Sequence, residues 1–391
     1  MNLALFPPSG GGLRTLNAAG QLSRLREYYL PAYANAFDQV FYFSYFNESW
    51  QEYGHNTPAP NVHLVPNQAA TPRLRYSFTL PQRHASKLAT CHISRVFQAP
   101  GILPAWQAKV RWKIPIVMTY GYRYAEFART EGRPVAQMYL RALEYFALRN
   151  VDAVIVTTEE LARHVRRYVD ADAVNIIPNG VDLTRYAPAP RSATTPDAPL
   201  APVPSVLFVG RFTPQKNLGC LVEAMALVRE QFDTSVRLDL VGDGPLRGEL
   251  TAQAQAAGVE VDFRGVVAQE DLPHVYQAAS VFVLPSHLEG HPKVLIEAMS
   301  CALPVVASDA PGNRTLVTHG ENGLLFPIND AEALAACIVE MLDNSARAAK
   351  LGKQARATIT NRYDLKKFLA QEVALLHRVS SMDREAASEI I

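Results

Sequence analysis

The sequence predicts an α/β protein with two doubly wound parallel-sheet domains. Short apolar runs, typical of buried strands, alternate with helical patterns in both halves of the chain. A stretch rich in Pro, Ala, Ser and Thr between Tyr186 and Pro204 separates the halves. The length of 391 residues is too great for one ordinary core, and 48% hydrophobic with 19% charged residues is typical of globular proteins.

In the first half, an apolar strand over residues 3–6 leads directly into Gly10-Gly11-Gly12. Glycine lets the backbone approach a ligand closely, although such runs are also typical of flexible loops. Residues 47–81 are polar, interrupted by proline and irregular, and they carry no functional prediction. The remaining pattern predicts helices over 13–30, 104–113, 139–148 and from Thr158, and strands over 39–45, 93–98, 114–118, 153–157 and 174–177.

The second half restarts the same alternation. Its predicted strands cover 206–209, 236–241, 261–265, 280–284 and 304–307. Its predicted helices cover 218–230, the segment after Gly242-Asp-Gly-Pro, 272–279, the segment from Pro292 and a long amphipathic stretch over about 365–378.

A strand, loop and helix in the second half form the most informative segment. The strand over 280–284 ends in a polar turn, and Pro292 opens the helix where its missing N–H costs nothing. The loop lies at the carboxyl end of the strand, where open α/β sheets bind ligands. We expect the N–H groups of Gly290, His291 and Lys293 to face an anion beside the positive end of the helix dipole.

Two carboxylates frame this expected anion site, Glu289 in the loop and Glu297 one turn into the helix. Because carboxylates repel phosphate, they are better suited to accepting hydrogen bonds from hydroxyl groups, as on a sugar or a ribose. An alternative interpretation is that Lys293 and Glu297, four residues apart, form a solvated ion pair worth roughly 0.3–0.5 kcal/mol.

Arg211 and Lys216 flank the loop between the first strand and the first helix of the second half. Both charges and the open N–H groups of the helix would converge on one anion, such as a diphosphate. Exposed loop cations are common, so this pair alone does not decide the matter. Together with Glu289 and Glu297, it indicates a site for a phosphate joined to polyhydroxyl groups.

Other catalytic classes are disfavoured by their missing motifs. Gly242-Asp-Gly-Pro-Leu-Arg-Gly partly matches a dinucleotide fingerprint, but Arg247 stands where the third glycine belongs and Pro245 removes a donor. Asp170-Ala-Asp172 follows a helix rather than ending a strand, so a surface turn is a better interpretation than a metal-binding pair. The sequence contains neither a Ser-centred nucleophile elbow nor a His/Cys metal cluster.

Charge and cysteine usage bear on location. The formal net charge is +1, but residues 1–180 carry roughly +7 and the remainder roughly −6. A basic first half suits an acidic acceptor or an anionic membrane surface, and chance surface variation explains it equally well. No apolar run is long enough to span a bilayer, the amino terminus lacks a signal-peptide pattern, and the four cysteines show no metal spacing. We therefore expect a cytoplasmic protein.

Four motifs carry a resemblance to a known family. They are Gly210-Arg-Phe-Thr-Pro-Gln-Lys-Asn, the run Glu-Gly-His-Pro-Lys-Val-Leu-Ile-Glu-Ala-Met-Ser-Cys-Ala-Leu-Pro from Glu289, Gly320-Glu-Asn-Gly-Leu-Leu-Phe, and Ile-Pro-Asn-Gly-Val-Asp at 177–182. This set resembles glycosyltransferase family 4. The resemblance implies a retaining enzyme of the GT-B fold, with two Rossmann-like domains facing a central cleft.

The implied domains follow the linker composition. Residues 1–184 would form the acceptor-binding domain, 185–204 the linker and 205–365 the nucleotide-sugar donor domain. A C-terminal helix over 366–391 would be able to cross back to the first domain.

The resemblance also implies a role for each matching residue. Arg211 and Lys216 would hold the donor diphosphate and stabilise the charge of the leaving group. Glu297 would hydrogen-bond the donor ribose, and Glu289 would contact the transferred sugar near the reacting face. The donor pocket would be completed by Gly11 and Gly12, approaching from the first domain, and by Gly290, His291, Pro292 and Lys293.

The mechanism implied is a same-face displacement in which the departing phosphate helps to deprotonate the acceptor, with no metal and no cofactor. One departure concerns the loop after the strand over 114–118, where many members have a histidine and this chain has Thr119-Tyr-Gly-Tyr-Arg-Tyr. Either Tyr120 or Tyr122 takes that role or the role is not needed. Tyr120, Gly121 and Tyr122 are therefore the acceptor-side candidates.

The function predicted is transfer of a sugar from a nucleotide-diphosphate sugar to an acceptor hydroxyl. The acceptor would be a sugar, a lipid-linked molecule or a small molecule, with peripheral contact between the basic first domain and the inner face of the membrane. No nucleic-acid partner is expected. The alternatives are a GT-B epimerase or phosphorylase and a non-catalytic sugar-nucleotide binding protein.

Overall fold

A computed structural model describes residues 1–130, 132–189, 203–231 and 235–388. The chain forms two compact units. The first unit contains Met1–Pro178 and Lys366–Ile391, and the second contains Asn179–Leu365. Of the predicted linker over 185–204, residues 190–202 lie outside the described residues.

The first unit is built on a seven-stranded sheet in which every pairing is parallel. The spatial order is β3-β2-β1-β4-β5-β6-β7. The strands are β1 (Asn2–Phe6), β2 (Gln39–Phe43), β3 (Val62–Val65), β4 (Ile93–Val96), β5 (Ile116–Tyr120), β6 (Ala153–Val156) and β7 (Val174–Ile176). Strands β4 and β6 are buried along their whole length, as expected for a sheet covered on both faces.

The helices of the first unit connect these strands. They are α1 (Leu13–Ala18), α2 (Leu22–Arg24), α3 (Leu30–Ala36), α4 (Arg73–Arg83), α5 (Ala85–Leu88), α6 (Ile102–Trp112), α7 (Tyr124–Thr130), α8 (Pro134–Arg149) and α9 (Glu159–Val165). The single helix predicted over 13–30 is wrong, because the chain turns at Gly20, where φ is +65°, and continues through a π-helical turn, Leu25–Tyr29. The stretch over 47–81, treated above as irregular, contains β3 and most of α4.

The second unit contains a six-stranded sheet, also parallel throughout. Its order is β10-β9-β8-β11-β12-β13. The strands are β8 (Ser205–Val209), β9 (Arg237–Val241), β10 (Val261–Gly265), β11 (Val281–Leu284), β12 (Val305–Ser308) and β13 (Leu324–Phe326). The prediction of two doubly wound parallel sheets is confirmed.

Seven helices lie in the described part of the second unit and an eighth leaves it. They are α10 (Leu218–Gln231), α11 (Arg247–Ala257), α12 (Leu272–Ala278), α13 (Lys293–Ser300), α14 (Pro311–Arg314), α15 (Ala331–Asp343), α16 (Ser345–Arg362) and α17 (Leu365–Ser388). Helix α17 is longer than the predicted stretch over about 365–378.

Helix α17 is bound to the first unit by a buried polar cluster. Glu372 is 5% exposed and accepts a hydrogen bond from Arg95 Nε at 2.6 Å and another from the Tyr33 hydroxyl. Arg95 also donates to Thr119 Oγ1 at 2.6 Å. Because Arg95 lies in β4 and Thr119 in β5, the cluster links the final helix to two central strands.

Candidate functional site

The strand order of the second unit reverses between β8 and β11. Strands β9 and β10 follow on one side of β8, whereas β11, β12 and β13 lie on the other. Loops that leave the carboxyl ends of two such neighbouring strands diverge and open a crevice, where open α/β sheets bind ligands. The loop after β8 carries Arg211 and Lys216, and the loop after β11 carries Glu289 to Lys293.

Several polar contacts tie these two loops together. The Gln215 side chain donates to the Leu288 carbonyl at 2.5 Å, and the His287 amide donates to the Gln215 carbonyl at 2.9 Å. Lys216 Nζ lies 2.6 Å from Glu289 Oε1 in an ion pair whose side chains are 17% and 8% exposed. The structure therefore brings together two residues that the sequence had placed 73 positions apart.

Donor groups remain available around this ion pair. Arg211 is exposed and forms no ion pair with any residue that the structure describes. Within the same described ranges, the backbone N–H groups of Gly290 and His291 donate to no other group. Pro292 precedes the first residue of α13, so these amides lie just before a helix N-terminus. The exposed guanidinium of Arg211 and these two amides are the donors that the two loops offer to an anion.

Glu297 is held inside the second unit by a phenol. It is 4% exposed, and its Oε2 accepts a hydrogen bond from the Tyr276 hydroxyl at 3.0 Å. Burial, and then the charge of Glu297, raise the pKa of Tyr276 well above its ordinary value, so the phenol stays neutral and keeps donating. Tyr276 lies in α12, and nothing in its local sequence pointed to this role.

His291 fixes the loop after β11 from inside. It is 7% exposed, and its Nδ1 accepts a hydrogen bond from the Asn179 amide at 3.3 Å, while the Asn179 side chain donates to the His291 carbonyl at 2.7 Å. Burial, together with the charge of Arg362, lowers the pKa of His291 to about 4. The ring is neutral at pH 7 and serves as an acceptor. Asn179 belongs to the Ile-Pro-Asn-Gly motif, which thereby gains a structural function.

Close backbone approaches support both loops. A Cβ on Gly242, where φ is +128°, would lie 2.0 Å from the Gly210 carbonyl, and the Phe212 amide donates to the Asp243 carbonyl at 3.0 Å. A Cβ on Gly312 would lie 2.4 Å from the Glu289 carbonyl. The Gly242-Asp-Gly-Pro turn, which partly matched a dinucleotide fingerprint, is thus packed against the loop after β8 that carries Arg211.

The glycine loop of the first unit has its amides engaged internally. The Gly11 amide donates to the Pro8 carbonyl at 2.7 Å, and the Gly12 amide donates to Thr15 Oγ1 at 3.0 Å. Glu48 accepts from the next two amides, those of residues 13 and 14, at 2.7 and 2.8 Å. No functional prediction was made for Glu48, because the two amides from which it accepts lie 35 and 34 positions away in the chain.

The acceptor-side candidates also belong to the first unit. Tyr120 is fully buried and its hydroxyl donates to Glu144 Oε1 at 3.0 Å. Gly121 is half-buried, and Tyr122 is 41% exposed with its ring centroid 4.2 Å from that of Tyr124. Of the two tyrosines considered for the missing histidine, Tyr122 is the one at the surface of this unit.

The described residues also show whether the chain has a membrane-spanning helix or a metal-binding cluster. No helix in those ranges is both long enough and apolar enough to cross a membrane. Across the same part of the chain, no group of three or more His, Cys, Asp or Glu side chains has an arrangement that could hold a metal ion.

Comparisons with known proteins place the chain in a family. The family model described as "Glycosyl transferases group 1" matches residues 201–358, which include both site loops, and the one described as "Glycosyltransferase Family 4" matches residues 39–185. The UDP-Gal:alpha-D-GlcNAc-diphosphoundecaprenol alpha-1,3-galactosyltransferase of Escherichia coli is 31% identical over 263 residues, covering 65% of this chain and 67% of that protein. The chain belongs to glycosyltransferase family 4. The resemblance inferred from the four motifs is confirmed.

A second relative of this family 4 member is the D-inositol 3-phosphate glycosyltransferase of Nocardia farcinica (strain IFM 10152). The two are 32% identical over 265 residues, which cover 64% of this chain and 59% of that protein. The chain thus spans less than two thirds of the length of that curated relative.

Solved structures agree with the family assignment. The sucrose-phosphate synthase (tll1590) from Thermosynechococcus elongatus superposes with a TM-score of 0.79 at 26% identity, covering 98% of this chain and 100% of that one. Anabaena Alr3699/HepE in complex with UDP-glucose superposes with a TM-score of 0.71 at 22% identity, covering 97% and 100%. The family 4 chain therefore has two parallel-sheet domains of the GT-B class, as predicted.

Proposed function

We propose that this family 4 protein is a retaining glycosyltransferase that moves a sugar from a nucleotide-diphosphate sugar to an acceptor hydroxyl. The observation that carries the proposal is the Lys216–Glu289 ion pair at the point where the strand order reverses. It places a cation and a carboxylate side by side, and the loop that carries Lys216 also carries the exposed Arg211. Such a combination suits a phosphate joined to a polyhydroxyl group.

The donor diphosphate is assigned to the cations and the free amides. Arg211 and Lys216 would neutralise the diphosphate, and the amides of Gly290 and His291 would donate to its oxygens. Because charge grows on the leaving phosphate as the glycosidic bond breaks, cations at this place stabilise the transition state more than the bound donor. The solved complexes of Anabaena Alr3699/HepE with UDP and UDP-glucose support a nucleotide-sugar donor.

The two glutamates are assigned different partners on the donor. Glu297 is buried and accepts a hydrogen bond from a neutral phenol, so its carboxylate is fixed and we assign it the donor ribose rather than the reacting sugar. Glu289 lies in the loop, and Lys216 is its one ion-pair partner among the described residues, so we assign it to the transferred sugar. Pro292 and Lys293 complete the donor-binding set that we propose for the second unit.

In the proposed reaction the acceptor oxygen attacks the anomeric carbon on the face from which the diphosphate departs. The bond from the anomeric carbon to the phosphate oxygen breaks, the bond to the acceptor oxygen forms, and the acceptor proton passes to the leaving phosphate. This sequence balances without a metal or a cofactor. We place the reaction in the cytoplasm, with Tyr120, Gly121 and Tyr122 on the acceptor side.

A donor panel with product analysis tests this proposal. The full chain is incubated with UDP-, GDP- and ADP-linked hexoses and with sugar, prenyl-phosphate and small-molecule acceptors, with and without EDTA. Nucleotide release and glycoside formation are measured together, and NMR determines the anomeric configuration of the product. We expect one donor to give a glycoside of unchanged configuration, with the same rate in EDTA.

Each other result excludes part of the proposal. Nucleotide release without a glycoside from any acceptor would remove the transferase assignment and favour an epimerase. Transfer to inorganic phosphate would identify a phosphorylase. Binding of a nucleotide sugar with no turnover would identify a non-catalytic binding protein, and an inverted glycoside would remove the same-face mechanism.

A further inference from the structure

A cavity of about 760 Å³ opens in the first unit between α7, α8 and the segment that follows α9. Four arginines line it: Arg123, Arg129, Arg141 and Arg167. None of the residues assigned above to the donor or the acceptor side is among the described residues of its lining. The cavity is therefore lined by residues that have no assignment so far.

The two carboxylates in the cavity lining are already engaged. Glu126 lies 2.6 Å from Arg123 and 3.7 Å from Arg129, and so balances that pair. Glu144 is 9% exposed and accepts hydrogen bonds from the Tyr120 hydroxyl at 3.0 Å and from the backbone amide of residue 124 at 2.5 Å. Neither carboxylate is placed to neutralise the remaining cations.

Arg141 and Arg167 are those remaining cations. Both are exposed, and neither forms an ion pair with a carboxylate anywhere in the described ranges. His164, which also lines the cavity, stacks on Tyr120 with a centroid distance of 6.0 Å. Among the described lining residues, four arginines against two glutamates leave a surplus of positive charge. Two guanidiniums at one cavity are the arrangement that proteins use for phosphate, because each presents several donors in a planar fork.

Helix α8 also contributes apolar side chains to the lining, on the same face of the helix as Arg141. Met138, Ala142 and Tyr145 line the cavity from α8 at spacings of four and three residues, which places them on one face of the helix. Met138 is 72% exposed and Tyr145 is 53% exposed. On the same helix, Val135 and Tyr139 are 76% and 60% exposed. A group of large apolar side chains at the surface marks a binding site more often than it occurs by chance.

We propose that this cavity binds the phosphate group of an amphiphilic acceptor, such as a prenyl-linked mono- or diphosphate. Arg141 and Arg167 hold the phosphate, and the face formed by Met138 and Tyr145 contacts the first part of the apolar chain. This inference rests on the proposed transferase function and specifies its acceptor class. A purely hydrophilic phosphate would bind Arg141 and Arg167 but would leave the apolar side chains of α8 exposed. Arginines next to exposed apolar side chains therefore favour an amphiphile.

Binding experiments on the full chain test the inference without any donor. The probes are farnesyl diphosphate, inorganic pyrophosphate and farnesol, titrated by calorimetry in the presence of excess UDP to occupy the donor site. We expect farnesyl diphosphate to bind about tenfold more tightly than either partial probe. R141Q combined with R167Q should weaken it by about tenfold or more, and R141K with R167K should restore part of the loss.

Arg163→Gln is the matched control. Arg163 is exposed on α9 and lies outside the described cavity lining, so the substitution removes the same charge at a nearby position. Binding by R163Q should equal that of the unsubstituted chain. Circular dichroism of each variant verifies that the fold is intact.

Three results would overturn the inference. Equal affinity for pyrophosphate and farnesyl diphosphate would mean that the cavity recognises only an anion. Binding that survives R141Q with R167Q would place the ligand elsewhere. Arginine-dependent binding to phosphatidylglycerol vesicles, without binding of farnesyl diphosphate, would assign the surface to a membrane. Because no donor is turned over in these titrations, their failure leaves the donor panel free to support the transferase proposal.

Discussion

Replacing His291 by a residue that does not titrate should make the stability of the second unit less dependent on pH. The buried ring has a pKa of about 4 in the folded chain, against an ordinary value of 6.5. The unfolded chain therefore binds the proton more readily between these two pH values. The contribution of His291 to the free energy of unfolding is fully present above pH 6.5 and is lost as pH falls towards 4. The difference of 2.5 units corresponds to about 3 kcal/mol in full, of which about 2 kcal/mol is lost at pH 5.

The structure supplies the physical reason for this loss. Nδ1 accepts the Asn179 amide, so a protonated ring would set a donor against a donor and would stand beside the charge of Arg362. His291→Asn keeps a side-chain acceptor near the position of Nδ1 but cannot titrate. Between pH 7.5 and pH 5, we expect the midpoint of the second unit to fall by roughly 4–8 °C in the unsubstituted chain and much less in the variant.

Calorimetry at both pH values measures the effect, with H274N as the matched control, because His274 is exposed in α12 of the same unit. Tryptophan fluorescence adds an internal reference, since all three tryptophans precede residue 113 and belong to the first unit. An equal pH effect in H291N and in the unsubstituted chain would refute the assignment of a buried, neutral His291.

Four further predictions follow from the contacts described above. Glu372→Gln leaves a buried guanidinium without its counter-charge, so the first unit should lose about 3–5 kcal/mol of stability, measured by tryptophan fluorescence in denaturant. Gly312→Ala forces a Cβ against the loop after β11, so kcat/KM should fall by about tenfold or more in the donor assay. Lys216→Met should weaken donor binding and slow turnover by roughly 10- to 1,000-fold. Glu297→Gln should mainly reduce donor affinity, by about 1–3 kcal/mol, whereas Glu289→Gln should reduce turnover more than affinity.

Each of these changes has a control or a contrary outcome. Gly248→Ala introduces the same methyl group where no atom lies within 4 Å, so it should leave kcat/KM unchanged. Unchanged kinetics in Lys216→Met would mean that the diphosphate lies elsewhere. If both glutamate variants changed stability but not the kinetic constants, Glu289 would be only an ion-pair partner and Glu297 only a hydrogen-bond acceptor within the fold. An unchanged unfolding midpoint in Glu372→Gln would mean that Arg95 is solvated.

The sequence predicted the elements that carry regular patterns. Every strand predicted in the second half was found within two residues of its expected bounds, because each is a short apolar run between turn residues. Helix α4 was not predicted, since it exposes Leu74 and Phe78 while burying Tyr76, and it contains Pro81. Such a segment forms a helix because of its tertiary contacts rather than its periodicity.

The site was predictable where its residues lie in local motifs and not where they meet through the fold. Local spacing pointed to Glu289 and Lys216, but their contact depends on the pairing of β8 with β11. Tyr276 and Glu48 had no local signal at all, because each binds a group that another strand or helix brings to it. Sequence motifs thus indicated the candidate residues, whereas their contacts depend on the topology.

Glu289, in the loop after β11, and Glu297, in α13, differ most in the group that contacts each carboxylate. Glu297 is held by a neutral hydroxyl inside the unit, and this hydrogen bond does not compete with an incoming phosphate. Glu289 is balanced by Lys216, whose ammonium group is also the cation assigned to the diphosphate. Under that assignment, a bound diphosphate and Glu289 would share one cation. In the proposed reaction, Lys216 would be drawn towards the leaving phosphate as its charge grows, and Glu289 would become the less neutralised carboxylate, next to an anomeric carbon that is becoming positive. The geometry that pairs Lys216 with Glu289 at rest would then couple departure of the phosphate to stabilisation of the sugar.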